Sequence, residues 1–225
     1  MVSGLLKIKQ ILLREELKVR LFLVIFYATG IAGFMVPAAR YLFLKLTPMA
    51  ILLSFAAILF FHQSLYDKKT IIAFSAVIIG TWGIESSGVS TGIIFGSYTY
   101  GSGLGIKFLN TPLLIGLNWL LLIYTTSCIT EGYKIHPGLK ILISSLLMVL
   151  YDYIMENVAR DLDMWSFERG MPPVKNYIAW FVIAVLIHFL FNLAGIKTTN
   201  RIAPFIFVLQ SLFFMSLILL FKFSE

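Results

Sequence analysis

Charged residues punctuate this chain so as to leave seven long apolar runs, and one bilayer crossing needs about 20 mostly apolar residues. Residues 21–39 carry no charge and form the first run; residues 46–66 lack Asp, Glu, Lys and Arg and form the second. The third starts at Thr70 and reaches spanning length only by passing through Glu85, which predicts a helix over 70–88. Residues 108–130 form an uncharged fourth. The fifth begins near Lys140; its uncharged part stops at Tyr151, so a crossing over 140–159 must carry Asp152 and Glu156. Residues 176–196 and 202–221 make the sixth and seventh. The pattern predicts an all-α fold: a polytopic integral membrane bundle of about seven transmembrane helices, forming a single domain over 21–225.

Residues 1–20 differ from the rest. Lys7, Lys9, Arg14, Glu15, Glu16, Lys18 and Arg20 make the segment long and mixed in sign, unlike a secretory signal. Leu5, Ile8, Leu12 and Val19 give a broken helical pattern, read as a cytoplasmic interfacial helix. With the N-terminus inside, 11 of the 18 Lys and Arg fall on the inner side, which favours that orientation.

Composition agrees with the pattern. The chain is 59% hydrophobic and 13% charged, with a mean hydropathy of +0.90. A net charge of +7 is then no argument for nucleic acid, because basic residues beside spans serve topology and anionic headgroups. A lone cysteine, Cys128, excludes an internal disulfide or a cysteine metal cluster. The expected setting is the cell (cytoplasmic or inner) membrane.

Against that background the stretch Gly80–Gly105 stands out. It holds eight of the 16 glycines, and Glu85 is the only charged residue between Thr70 and Ile106. A carboxylate at membrane depth marks a functional site by default. Irregular backbone survives there only when protein covers it or it lines a wet cavity. At about 1.5 Å per residue, Glu85 lies roughly 22 Å along its helix, and Asp152 and Glu156 roughly 18 and 24 Å along theirs. The two helices run in the same direction, so all three acids reach one leaflet and the loops that follow them share one face. Asp152, Glu156 and Arg160 repeat at i, i+4 and i+8 on a common face, which leaves open a Glu156–Arg160 ion pair at the helix end.

Aromatic residues crowd the same level: Trp82, Phe95, Tyr98, Tyr100, Tyr151, Tyr153, Trp165, Phe167, Tyr177 and Trp180. They read either as an interfacial belt or as a slot whose ring faces stabilise a carbocation. His188 and Asn192 lie at i, i+4 on the sixth span; His188 is read as an interhelical hydrogen-bonding residue or a site residue. His62 reads as interfacial. Three histidines without a Glu-x-x-His pair support no di-iron or histidine-rich metal centre. The seventh span has no lysine for a retinal Schiff base, and the chain has no Walker loop, dinucleotide fingerprint, nucleophile elbow or zinc-protease motif. No metal and no cofactor are expected.

Two blocks resemble a known family. The first is Gly88-Val89-x-Thr91-Gly92, Phe95-Gly96-x-Tyr98-x-Tyr100, then Leu104-Gly105, Pro112-Leu113 and Asn118-Trp119. The second is Asp152 and Glu156, followed by Trp165, Gly170, Pro172 or Pro173, Asn176 and Trp180. Both resemble the membrane carotenoid-biosynthesis family, which includes carotenoid 1,2-hydratases. Ile94 and Tyr153 stand where that pattern has proline. The resemblance implies hydration of a terminal C=C of a linear or monocyclic carotenoid without a redox cofactor. The partners it implies are the carotenoid, water, the lipid bilayer and other membrane enzymes of the carotenoid pathway, not nucleic acid.

Such chemistry needs a carboxylic acid to protonate the alkene and a second acid to handle water. The expected catalytic set is Asp152 as proton donor, Glu85 as water handler, or the reverse, and Glu156. The expected substrate-binding set is Trp82, Thr91, Phe95, Tyr98, Tyr100, Trp119, Trp165, Asn176, Trp180 and His188. End-group cyclisation or isomerisation uses the same first protonation and is the nearest alternative. A proton-coupled carrier or pigment-binding membrane protein is the alternative from another class.

Overall fold

In the computed structural model, residues 14–64 and 66–223 are described. They contain seven helices long and apolar enough to cross a membrane: α1 (Glu16–Met35), α2 (Pro37–Phe61), α3 (Lys68–Thr91), α4 (Leu114–Glu131), α5 (Pro137–Ala159), α6 (Val174–Leu193) and α7 (Ala203–Lys222). The protein is a multi-pass membrane helix bundle. Residues 1–13, most of the expected interfacial helix, lie outside the described residues, and Glu16–Arg20 form the first turns of α1.

The apolar runs and the helices differ at their ends for local reasons. The first run extends to Ala39, yet α1 stops at Met35. Val36 is extended (φ −96°, ψ 108°), and Pro37, which has no N–H to donate, begins α2. Arg40 and Lys45 therefore lie in α2 rather than between spans. At the other extreme α3 continues through Gly80, Gly83 and Gly88 to Thr91, so the glycine-rich stretch is helical for nearly half its length. Asp67 caps its start by accepting the Thr70 N–H at 2.7 Å. Gly92, at φ +63°, ends it in the left-handed conformation that suits glycine.

Helix α4 is the axis of the bundle, in contact with α2, α3, α5, α6 and α7. Asn118 through Thr126 are nine consecutive buried residues. Gly116 lets α3 come close: a Cβ there would strike the Ile78 carbonyl. Hydrogen bonds inside the apolar core join the remaining helices. Gln210 of α7 donates to Tyr27 of α1 (2.9 Å) and Ser54 of α2 (3.2 Å) and accepts from Tyr151 of α5 (3.1 Å). His62, expected at the interface, is fully buried: its Nδ1 lies 2.6 Å from the Tyr124 hydroxyl. The interhelical hydrogen bond is what allows an imidazole to sit so deep.

The loops after α3 and α5 are not free coils. Tyr98–Tyr100 (β1) and Trp165–Phe167 (β4) form an antiparallel pair, with Tyr98 opposite Phe167 and Tyr100 opposite Trp165. Between them, Lys107–Phe108 (β2) pairs with Thr111–Pro112 (β3), so the stretch expected to begin the fourth span at 108 is a short hairpin before α4. The β1–β4 ribbon seals one end of the bundle above the acids. Tyr98, Tyr100, Trp165 and Phe167 are all buried, while Thr99 and Ser166 point outward, the period-two alternation of a strand with one covered face.

Candidate active site

One face of α3 buries Val77, Thr81, Glu85 and Gly88, residues spaced by three or four. This spacing turns Glu85 into the bundle, where it is 3% exposed. Its Oε2 accepts hydrogen bonds from the hydroxyls of Tyr98 (2.6 Å) and Tyr100 (2.8 Å), and its Oε1 accepts from Trp119 Nε1 (2.9 Å). The alternation of β1 is what sends both tyrosines inward. Burial raises both phenols above their ordinary value near 10, and the neighbouring Glu85 charge raises them further, so they serve as neutral donors.

The second group comes from α5 and α6. Asp152 is fully buried. Asn176, in the first turn of α6, divides its amide between Asp152 Oδ2 (3.1 Å) and Glu156 Oε1 (3.3 Å). Trp165 Nε1 of β4 donates to Glu156 Oε2 (3.0 Å). Glu156 is thus tied to Asn176 and Trp165, and no Glu156–Arg160 ion pair forms; Arg160 is exposed at the end of α5. Of the six carboxyl oxygens on the three acids, Asp152 Oδ1 alone has no hydrogen-bond partner among the described residues. A buried polar atom without a partner costs about 1–3 kcal/mol, and Asp152 lines a cavity from which a water or a substrate can supply that partner.

Glu85, Asp152 and Glu156 line one small cavity with Phe95, Tyr98, Tyr100, Ile115, Trp165, Phe167, Asn176 and Trp180. It offers about 10 Å³ to the centre of a guest molecule, about the room for one water. Trp180 stacks on Trp119 at 4.1 Å, so the indole that holds Glu85 is itself held by α6. Acids from separate helices therefore converge in an aromatic-walled space. Among the described residues no three His, Cys, Asp or Glu side chains are grouped to ligate a metal ion.

Three expected site residues lie elsewhere. Trp82 is half-buried and stacks on Phe108, outside the cavity (5.7 Å). Thr91 is exposed, and its hydroxyl bonds the Ser87 carbonyl of its own helix (2.6 Å). His188 is buried between α4, α5 and α6, with Nε2 3.1 Å from Thr126 Oγ1 and Nδ1 2.7 Å from the Ala184 carbonyl. It lies 12 residues, about 18 Å, along α6 from Asn176. Conversely, Ile115 and Phe167 line the cavity although neither belongs to the expected binding set. The inward alternation Trp165-x-Phe167, parallel to Tyr98-x-Tyr100, is the signal that points to Phe167.

Residues 46–224 match the family described as carotenoid biosynthesis protein. The chain belongs to that family. It is also similar to a Haloarcula japonica protein named bisanhydrobacterioruberin hydratase, 30% identical over 155 residues, which cover 63% of this chain and 52% of that one. The chain thus spans about half the length of that curated relative. No solved structure matches it. All three acids and the residues that line the cavity fall within residues 46–224.

Proposed function

We propose that this protein catalyses cofactor-independent, acid-catalysed hydration of a terminal C=C of a linear or monocyclic carotenoid. The observation that carries the reading is the unequal bonding of two acids around one cavity. Three donors surround Glu85, an environment suited to the carboxylate, which only accepts. Asp152 keeps one oxygen free of protein partners among the described residues, open to a substrate and suited to an acid with a proton to give.

Asp152 transfers a proton to the less substituted carbon of the terminal alkene, and the π electrons form the new C–H bond. The adjacent carbon becomes a tertiary cation, faced by the rings of Phe95, Tyr98, Tyr100, Trp165 and Trp180. Water attacks the cation and forms the C–O bond, and Glu85 takes the proton that water releases. The sum is alkene plus water giving tertiary alcohol. Return of the proton from Glu85 to Asp152, with Glu156 beside the path, restores the starting state.

Similarity to the Haloarcula japonica protein named as a hydratase supports hydration as the reaction class. The test is expression in a carotenoid-producing bacterial host, followed by mass analysis of the extracted pigments. Hydration adds the mass of one water per modified end; cyclisation adds none. Asp152→Asn and Glu85→Gln are expected to abolish the mass gain while the folded protein accumulates. Hydrated product from either variant would remove that residue from the mechanism.

A further inference from the structure

Helices α3 and α6 both lean on α4, yet between them they leave a cleft of about 350 Å³. Gly80, Thr81 and Ile84 form one wall, and Ile187, Leu190 and Phe191 the other. No charged side chain lines it, and the Thr81 hydroxyl is committed to the Val77 carbonyl (2.7 Å). The cleft runs beside the helix faces that line the acid cavity, sharing Val77 and Thr81 with the buried face of α3. Thr81 stands one turn before Glu85 on α3, and Ile187 two turns beyond Trp180 on α6. From Ala73 to Ile84 it covers about 17 Å of helix, more than half of a hydrocarbon core about 30 Å thick.

Building on the proposed reaction, we propose that this cleft holds the polyene of the carotenoid while its end group reaches the acids. A rigid conjugated rod with one tip among Glu85, Asp152 and Trp180 must leave the cavity somewhere. The β1–β4 ribbon covers the cavity on the side of the loops. The cleft supplies an uncharged slot directly along the two helices that carry Glu85 and Trp180. A second apolar cleft, about 270 Å³, lies among α1, α2 and α7, none of which contributes a residue to the acid cavity. A position on α3 and α6, the helices that carry Glu85 and Trp180, distinguishes the first cleft from the second.

The cleft can be filled without disturbing the bundle. Gly80 and Ala76 are exposed, and a Cβ on Gly80 meets nothing within 4 Å. Gly80→Phe and Ala76→Phe, reconstituted in lipid nanodiscs, are expected to weaken binding of a full-length acyclic carotenoid about tenfold or more, read by quenching of tryptophan fluorescence. Ala50→Phe, in the second cleft, is expected to bind as the unaltered protein does. Hydration of a short acyclic isoprenoid with the same dimethyl-alkene end is expected to persist in all three. Unchanged carotenoid affinity in folded Gly80→Phe and Ala76→Phe would overturn the cleft assignment and leave the hydratase reading standing. Loss of bound phospholipid but not of carotenoid would overturn it too, assigning the cleft to a lipid chain. Loss of carotenoid binding in a protein that hydrates neither substrate would uphold the cleft and defeat the reaction.

Discussion

Three side-chain donors converge on the buried Glu85 carboxyl. Two phenols meet at Oε2 and an indole at Oε1. Because burial and the Glu85 charge keep both phenols protonated, the donors do not switch off as pH varies near neutrality. A hydrogen bond to a charged group is worth about 1.5–3 kcal/mol, which corresponds to roughly a tenfold to hundredfold change in rate where the bond positions a reacting group. Tyr98→Phe and Tyr100→Phe are each expected to lower kcat within that range while leaving the helical fold intact. The double variant is expected to fall below either alone, since Oε2 then has no donor. Pigment hydration rates beside far-ultraviolet dichroism would check this; full activity in the double variant would show that the pair only packs.

At the scale of elements, the site depends on how closely α3 approaches α4, because Trp119 of α4 must reach Glu85 of α3. Gly116 sets that approach. Gly116→Ala would drive a methyl into the Ile78 carbonyl and is expected to destabilise the protein by about 1–3 kcal/mol. Gly83→Ala, also on a spanning helix but with nothing within 4 Å of the added Cβ, is expected to be neutral or to stabilise by about 0.5–1 kcal/mol, as alanine favours helix. Thermal unfolding in detergent would compare the two, and equal shifts would mean that the contact at Ile78 relaxes freely. The helix count was legible because a bilayer imposes a length on apolar runs. The central place of α4 was not read from the sequence, although it left a trace. Its mean hydropathy, 1.2, is the lowest of the seven, and a span carrying Asn118, Tyr124, Thr125, Thr126 and Thr130 is better placed among protein than lipid. The break at Val36 was hidden because no charge marks it and Pro37 begins a helix as readily as it ends one.

The whole molecule brings its acids together by joining two loops that lie far apart in sequence. Equal depth of Glu85 and Asp152 followed from helix rise alone, but strand pairing between loops some 65 residues apart has no local signature, so the ribbon was invisible where its aromatic alternation was not. A polar clasp holds that ribbon beyond the membrane-spanning segments. Asp163, itself at φ 51°, accepts the Ser102 hydroxyl (2.6 Å) and N–H (2.8 Å), while Gly101 and Gly103 donate to the Met164 and Asp163 carbonyls. The Ser102 hydroxyl, and then its N–H, hold the Asp163 carboxyl below its ordinary value. A carboxyl whose folded-state pKa is depressed stabilises the fold fully above its unfolded value, near 3.9, and loses that contribution as pH falls from there through the folded pKa. The clasp is exposed to solvent, so its worth is about 1 kcal/mol or less. Asp163→Asn is expected to loosen the ribbon at neutral pH, seen as faster amide exchange at Gly101 and Gly103, and to flatten the loss of protection that the unaltered protein shows on acidification below about pH 4. Identical exchange in the two proteins at neutral pH would mean that the backbone bonds hold the ribbon without the carboxylate, and that Glu85 keeps its phenols through packing of Phe95, Tyr98 and Phe167 alone.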